Sequence, residues 1–195
     1  MTKRFLIILI LIFNLSNFSF ADDIRDFQIE GMGIGDSALD FFPEEVIKNN
    51  IELDYYKNIK NKKFYLSEFY KFPIFKTYDA LQVVLKTNDK KYKIYGLHGG
   101  IFYDENINDC YKKLDEIAEK FSEIFENAER NDFKSKKLSQ DKDEGTYSGV
   151  TFYLKSGIAS THCTDYSEKV PYTDNLRINL KSQEYEDWLW IKDPY

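Results

Sequence analysis

Residues 79–103 read DALQVVLKTNDKKYKIYGLHGGIFY, two β-rich runs on either side of Asn88-Asp89, a pair that tolerates the positive φ of a tight turn. Leu81, Val83 and Leu85 occupy alternate positions, which turns all three to one face of a strand. Gly96, Gly99 and Gly100 interrupt the returning run and mark a bulge or the close approach of another part of the chain. A hairpin of this kind implies an antiparallel sheet.

The flanking segments extend that sheet. From Lys63, KFYLSEFYKF is an edge-type strand that stops before Pro73. Residues 108–128 predict the longest helix, because Cys110, Leu114, Ile117, Phe121, Ile124, Phe125 and Ala128 recur at steps of three and four while the other faces are charged. Residues 129–145 carry many charges and few apolar groups, the composition of a solvated loop. Residues 146–166, TYSGVTFYLKSGIASTHCTDY, give two strands around Lys155-Ser156-Gly157, and residues 174–180, DNLRINL, a last strand with Leu176, Ile178 and Leu180 on one face. The closing SQEYEDWLWI is a helical turn that docks Trp188, Leu189 and Ile191. Nearer the N-terminus, residues 27–34 read as a strand, short helical turns start near Ser37 and at Pro43-Glu44-Glu45, and residues 49–61 as a loop. This order predicts an α+β fold: a mainly antiparallel sheet with one long amphipathic helix packed on it and a short N-terminal helix. Residues 22–195 contain no Pro/Gly/Ser linker, repeat or low-complexity tract, and are expected to form one domain.

The first 21 residues have the form of a secretory signal. Lys3 and Arg4 precede an unbroken apolar run, Phe5 to Phe13, and Ser19-Phe20-Ala21 offers small residues where a signal peptidase reads. Nine apolar residues fall well short of the roughly 20 needed to span a bilayer, so cleavage after Ala21 into the periplasm or medium is expected, with no membrane span left afterwards. Losing Lys3 and Arg4 takes the net charge from −6 to −8. That acidity speaks against nucleic acid, which needs a basic footprint. The 16 Phe and 15 Tyr accompany many Lys, Asn and Ile, all residues of A- and T-rich codons, so the aromatics are expected mostly in the core.

Residues 31–40, GMGIGDSALD, invite three readings. A dinucleotide fingerprint fails on spacing, since the glycines sit at 31, 33 and 35 and no parallel crossover follows. Gly35-Asp36-Ser37 matches part of the block around the nucleophile of the GDS-type esterases, with Ser37 as the catalytic hydroxyl. That pattern breaks at Ala38, at Asn106 and at Ala159, which stands three residues before His162 where the family has Asp. Such a serine needs a base and oxyanion donors. The remaining reading is structural: the chain turns at Gly33 to Gly35, and Asp36 or Ser37 caps the helix that follows.

The segment IEGMGIGDSALDFFPEEVIKNN is similar to the opening of a family of small exported proteins of AT-rich marine bacteria, whose members carry an IGDSLLDYFSEEEIK type of motif. The similarity continues through KKYKIYGLHGGIFYDENINDCYKKLDEI, the later His162-Cys163 pair and DNLRINLKSQEYEDWL. It implies export and carries no assigned activity. Over about twenty residues, the strand, the IGDS turn and the following helix also resemble the opening of BamE-type assembly factors and β-lactamase-inhibitor-like domains.

Two cysteines in an exported chain are expected to pair, so Cys110 at the head of the long helix would be bridged to Cys163 in a late strand. One Cys at each of two remote positions, with His162 and His98 unpaired at short spacing, predicts neither a metal site nor a cofactor. His162 is expected on the opposite strand face from Cys163, toward solvent. The sequence as a whole reads as a non-enzymatic exported domain that binds another protein or a small ligand, with the Ser37 esterase as the alternative.

Overall fold

The computed structural model describes residues 23–191 apart from 57, 58, 60, 61, 105 and 141. The expected leader therefore lies outside the described residues. A small hairpin, β1 (Gln28–Ile29) and β2 (Met32–Gly33), leads to helix α1 (Glu44–Asn49) and strands β3 (Phe64–Tyr70), β4 (Ala80–Lys86) and β5 (Ile94–Phe102). Helix α2 (Ile107–Ile124) precedes strands β6 (Glu129–Lys137), β7 (Gly145–Leu154), β8 (Gly157–Tyr166) and β9 (Asn175–Ser182), and helix α3 (Gln183–Ile191) closes the described chain. Strands β3 to β9 form one sheet in the order β3-β4-β5-β9-β8-β7-β6, antiparallel at every step.

The α+β expectation is overturned: the chain is mostly β, with a seven-stranded and a two-stranded sheet and 23% of its residues helical. Two segments account for the difference. Residues 129–145, read as a loop, hold the whole of β6 and the start of β7. β6 is an edge strand exposed on both faces, with only Phe133 half-buried, so no burial imposes the alternation by which strands are recognised. Residues 27–34, read as one strand, fold back at Glu30 and Gly31 (φ 52° and 81°) into the β1–β2 hairpin. The helix expected at Ser37 is a single 3-10 turn, Ala38–Asp40.

The sheet is covered on both faces, unequally. Its inner face presents Leu81, Val83, Leu97, Leu176, Ile178 and Ala159, and buries them under Cys110, Leu114, Ala118 and Phe121 of α2 and under the N-terminal segment with Ile29, Met32, Ala38 and Phe42. The Phe42 ring stacks on Phe69 at 4.2 Å. A smaller cluster on the outer face joins Phe64, Leu66 and Val84 to Tyr185 and Trp188 of α3. The glycines of the returning hairpin strand make these layers possible. A Cβ at Gly96 would stand 2.9 Å from both Tyr185 and Val84, and one at Gly99 would stand 2.6 Å from Tyr78. The register also shifts between Val84 and Leu85, so the hairpin combines a bulge with close packing.

Candidate functional site

Helix α3 covers only one half of the outer face. Glu184 holds it there by accepting from Lys86 at 2.8 Å and pairing with Lys63 at 2.9 Å. Beyond it the outward positions turn polar. Cross-strand pairing sets Glu68, Gln82 and His98 side by side on β3, β4 and β5. Asn179, Ser160, Thr151 and Asn131 carry the same row across β9, β8, β7 and β6. A continuous polar row thus crosses all seven strands. Gln82 Nε2 donates to Glu68 Oε1 at 2.5 Å, His98 Nδ1 meets Asn179 Oδ1 at 2.8 Å, and Asn179 Nδ2 donates to Ser160 Oγ at 3.2 Å.

The next row makes a depression beside it. Tyr70, Ala80, Gly100 and Arg177 are successive partners, and the two middle positions project almost nothing from the sheet. The result is a hollow of about 70 Å³ bounded by Tyr70, Phe102 and Arg177, with Gln82 and His98 in its wall. Gln82 and His98 are 7% and 6% exposed, whereas Tyr70 is 60% exposed. Among the described residues neither Gln82 Oε1 nor His98 Nε2, both closed to solvent, has a hydrogen-bond partner. Native interiors rarely leave such atoms unsatisfied.

The protonation of this wall follows from its surroundings. Asn179 turns its oxygen to His98, so Nδ1 carries the hydrogen and Nε2 presents a lone pair. Burial, reinforced by Lys181 and Arg177, pushes the His98 pKa down to about 3, and the imidazole is neutral in the fold. Lys181 is paired with Glu186 at 3.0 Å. Among the described residues no carboxylate pairs with the Arg177 guanidinium.

The sequence-predicted residues lie elsewhere. Ser37 Oγ accepts from the Leu39 N–H at 3.3 Å and donates to the Lys91 carbonyl at 2.9 Å. No hydrogen bond among the described residues joins it to either histidine. Asp36 does not cap the turn; its carboxylate accepts from the Gly33 N–H at 2.8 Å and ties the hairpin to the turn. Cys110 and Cys163 form a disulfide with their Cα atoms 6.0 Å apart, clamping the first turn of α2 onto β8. His162 faces away from the bridge but not into open solvent: it is half-buried beside Tyr147, with ring centroids 6.0 Å apart, and burial followed by Arg177 and Lys181 pushes its pKa down to about 4. Among the described residues no group of three or more His, Cys, Asp and Glu could hold a metal ion, and no helix is long and apolar enough to cross a membrane.

Sequence reasoning missed Glu68, Gln82, Arg177 and Asn179. A signal was present, since Asn175, Arg177, Asn179 and Lys181 alternate with the apolar residues of β9, and Gln82 stands between Leu81 and Val83. Polar residues at the outward positions of central strands point to a face that is not simply core. A larger cavity lies elsewhere, a cleft of about 630 Å³ between α2 and β6 lined by Leu114, Ala118 and Val150. Two of its charged residues satisfy each other, Arg130 bonding to Asp132 and also to Ser122 Oγ at 2.7 Å each. No protein family, curated protein or solved structure matches this chain.

Proposed function

We propose that this protein is an exported, non-catalytic binding domain whose ligand site is the polar half of the outer sheet face. The observation that carries the reading is the hollow of about 70 Å³ on the half of the outer face that α3 leaves open, where the buried Gln82 and His98 lie in the wall between the exposed Tyr70 and an Arg177 that, among the described residues, pairs with no carboxylate. Export is supported by the leader pattern of residues 1–21, and the disulfide is compatible with it. The hydroxyl of Ser37 is engaged as a cap and as a donor to Lys91, so no observation favours the esterase alternative.

A fragment screen followed by protein NMR tests the site. Saturable shifts confined to residues around Gln82, His98 and Arg177 are expected. Hits that gather instead in the cleft between α2 and β6 would move the site there. Edman sequencing of the exported protein, expected to begin at Asp22, tests the address.

A further inference from the structure

We infer that β6, the open edge of the seven-stranded sheet, takes an acidic extended peptide of a partner protein as an eighth strand. This surface is separate from the outer hollow and stands or falls apart from the binding site proposed there. An edge strand turns the N–H and C=O groups of alternate residues away from the sheet, a row with which another extended chain can pair. At the opposite edge part of that row is taken, since Ile51 bridges to Ser67 of β3. β6 pairs on one side only, with β7, and every side chain on it except Phe133 is exposed.

Charge selects the occupant. The chain has a net charge of −6, yet the strand ERNDFKSKK holds four cations against two carboxylates. Of those carboxylates Asp132 is bonded to Arg130, at 2.9 and 2.7 Å. The surplus falls on Lys134, Lys136 and Lys137, and among the described residues no carboxylate forms an ion pair with any of the three. Lys136 and Lys137 stand opposite Tyr147 and Thr146 of β7, and the Lys136 ammonium lies over the Phe133 ring at 4.9 Å. Asp143 senses Lys137 but is bonded to Lys169 at 2.6 Å, and Asp115 lines the α2 cleft with Lys134 without pairing to it. A neutral or basic strand laid on this edge would strip water from ammonium groups and return no counter-charge. An acidic strand returns it, so the lysines that keep other strands off admit this one. Lys136 and Lys137 are consecutive and point to opposite faces. The incoming strand therefore needs carboxylates on both of its faces, which a run of adjacent Asp or Glu provides.

The test is a titration of the purified ¹⁵N-labelled protein with the end-capped peptide VTEEETV, with VTQQQTV and VTKKKTV as comparators. The acidic peptide is expected to slow hydrogen exchange at alternate amides of β6. It is also expected to bind roughly tenfold more tightly than the glutamine peptide, a difference that shrinks as salt is raised. Lys134→Glu together with Lys136→Glu, exposed changes that keep the edge charged, should leave the amide spectrum of the other strands unaltered and transfer the preference to VTKKKTV. If the three peptides bind alike, or the charge-reversed protein still prefers the acidic one, the inference fails. It fails equally if none binds at about 1 mM, or if shifts gather on Leu114 and Ala118 of the cleft while the β6 amides exchange as before.

Discussion

Ser37 shows how much a single side chain can settle. Its oxygen serves the start of the 3-10 turn and also reaches Lys91, fifty-four residues away. Ser37→Ala is expected to destabilise the fold by about 0.5–2 kcal/mol, the range for a lost N-cap, as read from urea denaturation, and to leave ligand binding untouched. Gly35 has a φ of 100°, where a β-branched side chain is strained, so Gly35→Val is expected to cost about 1–3 kcal/mol in the same experiment. Melting curves like those of the native protein for both variants would remove the structural account of this motif. The cap was legible because its partner lies two residues along the chain. Glu30 was not. Burial opposes its charge, yet its carboxylate accepts from the N–H groups of Lys76, Thr77 and Tyr78 at 3.0, 2.7 and 3.0 Å, and the net effect holds its pKa below the usual value. No local pattern announces partners so remote in sequence.

The two edges of the sheet are protected by different means. At β3 the segment at residues 50–52 supplies the missing partners: the Glu68 N–H donates to the Asn50 carbonyl at 2.9 Å, and the Glu52 N–H to the Leu66 carbonyl at 2.8 Å. At β6 protection comes from charge and from an irregularity, since the register shifts between Phe133 and Lys136 and Ser135 has a φ of 50°. Lys134→Val together with Lys136→Val is therefore expected to cause concentration-dependent self-association, visible by light scattering, with little change in the monomer's far-UV spectrum. A strictly monomeric double variant would show that the bulge alone suffices. The charges that guard this edge also hid it from the sequence. β4, β5, β8 and β9 were legible because each buries a face, whereas a strand that buries almost nothing has no reason to alternate. The polar row of the candidate site was overlooked for a related reason: periodicity draws attention to the apolar half of a strand, and Gln82 and Asn179 occupy the other half.

Across the whole molecule, acid and reduction are the two conditions expected to loosen it. His98 is neutral in the fold and protonates only near pH 3, while in the unfolded chain it binds a proton below about pH 6.5. Between those values the unfolded state holds the extra proton, so stability falls as pH is lowered through that window, by about 1.4 kcal/mol per pH unit for this residue. His162, partly exposed, adds a smaller loss. Asp23, bonded to Arg25 and held at about 2, contributes only at lower pH, because its stabilisation is lost as pH falls from about 4. His98→Gln is expected to flatten the dependence of stability between pH 6.5 and 4.5, and an unchanged slope would contradict the burial of a neutral imidazole. Breaking the disulfide, for example by Cys163→Ser, is expected to cost about 2–5 kcal/mol. That bond also decides how the molecule responds to tension. Cys110 and Cys163 are 53 residues apart in sequence, and the stretch between them, with most of α2 and all of β6 and β7, forms a covalent ring. Stretched by its two ends in an optical trap, the oxidised protein can release only the chain outside the ring, and its fully extended length is expected to fall short of the reduced protein's by roughly 180 Å.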